Sequence, residues 1–257
     1  MKFLSIAKYT FISNFRNKIF LVLLIFGFLL LASSILLGLL SQEQEVRMLV
    51  DLGLTCIEKL SLLTAVFLMV TLVLEEMDSR TIYLVLTRSI SKKGYLFGRF
   101  LGTMSSVLAC VLLMAAAHLF LILFKGWNLK EEGLLYFLSL FMSFEKVILI
   151  SSLALFFSLF SSSALVSIAF TFFFWILGHF AMELKFLATS VSSEFSKLIF
   201  KGFYFLIPHF QYLNARDLWL TVLDRLPIFI VYGTLYTALY SSFALTLAIL
   251  VFRKKEF

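Results

Sequence analysis

The chain has 257 residues, of which 61% are hydrophobic and only 14% charged, against about 45–50% and about 25% in soluble domains. With 32 Phe and a mean hydropathy of +1.02, it carries more apolar surface than a soluble core can hide. That excludes a soluble enzyme, a disordered tail and a nucleic-acid module, so the net charge of +7 marks the cytoplasmic loops of a membrane protein.

Read from the start, Leu4, Ala7, Phe11 and Phe15 share one helical face, the pattern of an amphipathic helix over residues 1–18 lying along the inner membrane surface. A basic flank that only orients the first span is the alternative. Ile19–Leu40 is uncharged for 22 residues, enough to cross about 30 Å of hydrocarbon. It lacks a small-x-small cleavage site and is read as a retained span. The second span covers 54–74 and the third 96–124, where His118 interrupts the apolar run. Val147–Met182, 36 residues without charge, is too long for one span. The cluster Ser161-Ser162-Ser163 divides it into spans at 139–160 and 164–186, joined by a very short turn. The sixth span, 227–252, opens at Pro227 and stops at Arg253-Lys254-Lys255. Before it, residues 187–225 contain the run Leu198–Phe210, which includes Lys201 and Pro208 and is too short to cross. A re-entrant or interfacial element is expected there. The expected fold is a single all-α membrane domain of six spans.

Charge sets the orientation. With both termini, the Glu75–Arg99 loop and the Ser161 turn on one side, that side holds 12 Lys and Arg against 4 Asp and Glu. The other side holds 9 against 10, leaving the adjacent Glu145 and Lys146 to cancel. The basic side is expected to be cytoplasmic.

Residues 75–102 read EEMDSRTIYLVLTRSISKKGYLFGRFLG. Thr81–Leu86 is apolar but only six residues long, with Glu75 and Glu76 before it and Arg88, Lys92 and Lys93 after it. A cytoplasmic apolar patch of this kind packs on the protein's own helices or on a partner. The pattern Asp51-x-Gly53, Glu76, Thr81-Ile82, Leu86, Arg88-Ser89-Ile90-Ser91, Tyr95, Gly98-Arg99 and Gly102 resembles ABC-2-type transporter permeases. It is most similar to the branch associated with maturation of multicopper enzymes, although Ser89 stands where family members commonly have Pro. The resemblance implies two six-helix permease subunits, identical or sister chains, paired with two cytoplasmic ATP-binding subunits in a bacterial or archaeal plasma membrane. It further implies that Glu75, Glu76, Thr81, Ile82, Val85, Leu86 and Arg88 belong to a coupling element that docks on the ATPase. The chain has no G-x-x-x-x-G-K-[ST] phosphate loop, so ATP and Mg are expected in the partner, with no cofactor in this chain.

Charges at membrane depth are functional candidates. Glu58-Lys59 and Glu145-Lys146 are adjacent pairs at similar depth, Lys59 lying 15 residues before Leu74 and Lys146 lying 14 before Phe160. They are candidates for the outer mouth or gate of a pathway, with snorkelling at the outer interface as the alternative. Tyr232, Tyr236 and Tyr240 form an i, i+4, i+8 stripe that would line a route or pack helices. His118 and His179 would hold a metal or relay a proton only if their helices touch; a structural role is the simpler reading. No His or Cys cluster accompanies Cys56 and Cys110, which suggest neither a disulfide framework nor a zinc site.

Two other functions compete with transport. Glu75-Glu76-x-x-x-Arg80 and Phe205-x-x-x-His209 resemble motifs of CAAX-type glutamyl proteases, but no His follows His209 to complete the site. A membrane anchor for an ATPase, without transport of its own, is the other alternative.

Overall fold

A computed structural model describes residues 2–39, 45–79, 91–190, 193–216 and 226–254, and all regular structure within them is helical. Helix α1 (Lys2–Arg16) breaks at Asn17, whose side-chain oxygen accepts from the Ile19 N–H at 2.8 Å and so starts α2 (Lys18–Leu39). Helix α3 (Glu45–Asp78) has 34 residues, about 50 Å at 1.5 Å per residue. Helix α4 (Lys92–Phe124) is capped by Ser91, which accepts from the Gly94 N–H at 3.1 Å, and is followed by Gly126 at φ +84°. Helix α5 (Leu129–Phe160) is capped by Asn128. After the serine turn come α6 (Ala164–His179), α7 (Ala181–Ser190), α8 (Glu194–Leu206), a 3₁₀ turn (Phe210–Leu213) and α9 (Leu226–Lys254).

Among the described residues, four helices are long and apolar enough to cross a membrane: α3, α4, α5 from Glu132 onward, and α9. The pairs α1–α2 and α6–α7 bring the number to six if each bent pair is one span, the bends being 62° and 64°. Three boundaries differ from the sequence reading. Helix α3 begins at Glu45 and not near Leu54, and α5 begins at Leu129 and not at 139. Both continue because polar side chains hold the extensions together outside the apolar run. Lys125 Nζ lies 2.6 Å from Glu45, and the Trp127 indole donates to Glu132 at 2.9 Å. The expected span 164–186 is broken at Phe180.

Helix α3 is the centre of the bundle and packs against α2, α4, α5 and α6, while α5 also carries α9. Leu54, Ile57, Ala65, Leu68, Met69 and Val70 of α3 are all buried. On the outer helices, Val22, Leu29, Leu165, Phe173 and Leu239 are more than half exposed, an apolar exterior suited to lipid.

Helix α1 lies in a notch of α4. A Cβ on Gly98 would come within 2.8 Å of the Phe3 carbonyl oxygen, and one on Gly102 within 2.5 Å of the Ala7 carbonyl oxygen. The buried line on α1 is Ile6, Thr10 and Asn14. Asn14 donates to Ser106 at 3.0 Å, and Arg99 donates to Thr10 at 2.8 Å. Leu4, of the expected apolar face, is exposed. Ala7, Phe11 and Phe15 are half-buried, Phe15 against the core, so α1 uses small and polar residues for its closest contacts, as helices packed in lipid do.

Candidate functional site

Three of the four charges in the pairs read from the sequence, Glu58, Lys59 and Lys146, meet across α3 and α5. Glu58 and Lys146 are 4% and 7% exposed, and Lys146 Nζ lies 3.3 Å from both Glu58 carboxylate oxygens. Ser143 donates to Glu58 Oε2 at 3.1 Å, and Lys59 approaches Oε1 at 3.4 Å. Arg216 donates to Glu58 Oε2 at 3.2 Å and also to the Thr55 hydroxyl. One carboxylate therefore serves three cations. Burial on this scale excludes snorkelling for Glu58 and Lys146, and the low dielectric makes their pairing essential. Lys59 differs: its side chain is 39% exposed and its ammonium stands 4.7 Å from the Trp175 ring centroid. Glu145 is buried too, but beside Thr237 of α9 and not in this cluster. The adjacent Glu145 and Lys146 thus serve different helices.

A cavity of about 420 Å³ opens beside the cluster, lined by Thr55, Glu58, Lys59, Lys146 and His179 and, from the segment after α8, by Phe210, Gln211, Asn214 and Arg216. His179 bonds to the Trp175 carbonyl oxygen at 3.0 Å. A carbonyl only accepts, so Nδ1 carries the proton. Arg216, Thr55 and Ser143 were not singled out from the sequence. Arg216 lies in the expected re-entrant region, where no periodic pattern says which side chains face inward.

A second ionic centre joins the other end of α3 to α4. Glu76 is paired with Arg99 and accepts from the Tyr95 hydroxyl. The Arg99 side chain is buried, reaches Thr10 of α1, and lies 5.4 Å and 5.6 Å from the ring centroids of Tyr9 and Tyr95. Tyr95 stacks on Phe252 near the end of α9, with centroids 5.9 Å apart. Glu75 is exposed. Thr81, Ile82, Val85, Leu86 and Arg88 lie outside the described residues.

The tyrosine stripe does not act as one. Tyr232 is 71% exposed. Tyr236 accepts from the His209 backbone N–H at 2.8 Å, and Tyr240 donates to the Leu206 carbonyl oxygen at 2.7 Å. These two clamp the turn after α8 onto α9. The His209 ring also faces the Tyr236 hydroxyl, at 3.3 Å. Burial pushes the His209 pKa below its ordinary value, and the charge of Lys185 adds to the effect.

His118 serves packing. Its Nε2 lies 3.2 Å from the Leu49 carbonyl oxygen and its Nδ1 3.0 Å from the Tyr136 hydroxyl. Nε2 therefore donates and Nδ1 accepts. The ring fills the place a side chain at Gly53 would need, a Cβ there falling 2.0 Å from Nε2. His118 and His179 have separate partners, and among the described residues no three His, Cys, Asp or Glu side chains gather as metal ligands. Cys56 and Cys110 are free thiols.

Glu76 and His209 share no site. Glu76 is 18 residues beyond Glu58 on the continuous helix α3, about 27 Å away. His209 adjoins the Glu58 cavity through Phe210. On α9, 16 residues separate Tyr236, beside His209, from Phe252, beside Tyr95.

No protein-family model matches the sequence, and comparison with curated proteins yields no match.

Proposed function

We propose that the chain is the permease subunit of an ABC-2-type transporter, exporting its substrate across a plasma membrane with energy from a separate ATP-binding subunit. In this reading there are six spans, α2, α3, α4, α5, the bent pair α6–α7 and α9, with α1 lying along the inner membrane surface before the first. The Glu76 end of the bundle and both termini are cytoplasmic, in keeping with the excess of Lys and Arg on that side. The Glu58 end then faces outward. Two permease chains pair with two ATPases, and residues 80–90 dock on the ATPase.

The observation that supports this reading is the Glu76–Arg99–Thr10 junction. It ties Glu76 near the end of α3 and Arg99 near the start of α4 to each other and to α1. A force applied to residues 80–90 by a partner then reaches α1, α3 and α4 together. Coupling of this kind needs a partner that contacts the two packings of the helices differently.

The test is affinity purification of the tagged chain in mild detergent, with partners identified by mass spectrometry. A P-loop ATPase recovered with the parent chain, and lost when Ile82, Val85 and Leu86 are changed to Asp in a chain that still inserts, is the expected result. A chain recovered alone from several detergents would overturn the proposal.

A further inference from the structure

Among the described residues, the walls of the Glu58 cavity carry three cations, Lys59, Lys146 and Arg216, and one carboxylate. Glu145, the nearest acidic side chain in sequence to Lys146, lies beside Thr237 and offers no compensation. Two positive charges are left over in a site built between helices, where unmatched charge is expensive. The contacts to Glu58 run from 3.2 to 3.4 Å, longer than the roughly 2.7–2.9 Å of strong charge-assisted bonds. The carboxylate is shared loosely, and each cation can turn to another acceptor without losing an optimal bond. Arg216 supplies a planar fork suited to a tetrahedral oxyanion, with the side chains of Gln211 and Asn214 also on the wall. The cavity, at about 420 Å³, is within the range of roughly 300–1,000 Å³ found for small-ligand sites. Lys59, also in the lining, is partly exposed.

We infer that this cavity binds a phosphate-type oxyanion, held by Arg216, Lys146 and Lys59, with Glu58 as the counter-ion it replaces. The source is a free phosphate or the headgroup of an anionic phospholipid, which present the same chemistry. The inference does not rest on the transport proposal, since the binding needs this chain alone.

The experiment uses the purified full-length chain in detergent. One arm follows the thermal midpoint on titration with inorganic phosphate. The other counts retained lipid by native mass spectrometry after exposure to phosphatidylglycerol or phosphatidylcholine. A phosphate-dependent rise identifies a soluble ligand, and preferential retention of phosphatidylglycerol identifies a headgroup. Lys146→Met and Arg216→Gln each weaken the response by roughly tenfold or more, as expected for loss of a hydrogen bond to a charged group. Lys201→Gln, an exposed cation on α8, leaves it unchanged. Glu58→Gln removes the competing carboxylate and strengthens it. If Glu58→Gln fails to fold, Lys146→Met and Arg216→Gln decide the matter. Response in neither arm, equal response in parent and both variants, or an equal loss in Lys201→Gln would overturn the inference. So would weakened binding in a folded Glu58→Gln protein.

Discussion

Glu58 and Lys146 stand 88 residues apart in the chain, yet Nζ of Lys146 lies 3.3 Å from both oxygens of Glu58, with each side chain almost wholly buried. The pair joins the two central helices, α3 and α5, at the level where Arg216 also enters. Because three cations share one carboxylate, the members of the cluster are not equivalent.

Removing the carboxylate is therefore more damaging than removing one cation. Glu58→Gln leaves the buried Lys146 and the half-buried Arg216 without a counter-charge, at about the 3–5 kcal/mol of a broken buried pair. Lys146→Met leaves Arg216 on Glu58 and destabilises by less, about 2 kcal/mol as for a hydrogen bond to a charged group. The double variant recovers part of the Glu58→Gln loss. Thermal unfolding in detergent, without added phosphate, gives this order directly; equal losses for the two single variants would contradict it.

Gly102→Ala should lift α1 from α4. The new Cβ would meet the Ala7 carbonyl oxygen and the Thr10 side chain, both at 2.5 Å, and backbone cannot move aside as a flexible side chain can. Overpacking of this kind costs about 1–3 kcal/mol. The measurement is trypsin cleavage at Lys8 and Arg16 in membranes, which becomes faster in the variant. An unchanged rate would mean that α1 does not depend on the notch.

Much of the fold was legible in the sequence, for physical reasons that also mark the limit. Long uncharged runs give membrane-crossing helices because the backbone must satisfy itself in hydrocarbon. The serine cluster at 161–163 divides α5 from α6 as expected. The similar depth of Lys59 and Lys146 could be counted, but their convergence on Glu58 depends on how α3 and α5 are rotated, which hydropathy does not encode. The line Ile6, Thr10 and Asn14 that packs on α4 was not legible for a related reason: hydropathy marks the apolar face of α1 and says nothing of which polar residues meet a neighbouring helix. Arg216 carried no signal, being a single cation in an irregular segment.

Gly53→Ala should be harmful, and a second substitution should relieve it. The Cβ would enter the His118 ring, breaking the bonds to Leu49 and Tyr136. The expected loss is about 1–3 kcal/mol. His118→Ala opens the space, so the double variant is more stable than the sum of the two single losses, with a coupling of about 0.5–3 kcal/mol. Strict additivity in thermal unfolding would show that His118 does not occupy this position.

The turn on α9 should loosen in acid. His209 is held below its ordinary pKa of 6.5 by burial and by Lys185, so the unfolded chain takes up a proton before the folded one does. Its contribution to stability is complete above about pH 6.5 and declines as the pH falls below that value, by at most about 1.4 kcal/mol per pH unit. His209→Asn keeps an acceptor near Tyr236 and removes the titration. A thermal midpoint whose decline between pH 7 and 5 is shallower in the variant agrees with this; parallel curves do not.

The proposed docking of residues 80–90 on an ATP-binding subunit can be tested by placing a photo-crosslinking amino acid at Ile82 in otherwise unaltered membranes and identifying the adduct by mass spectrometry. The expected result is a cross-link to a P-loop ATPase, and none from the same probe at Tyr232 on the exposed face of α9. Adducts from Ile82 confined to this chain and lipid, with the protein intact and inserted, would contradict it.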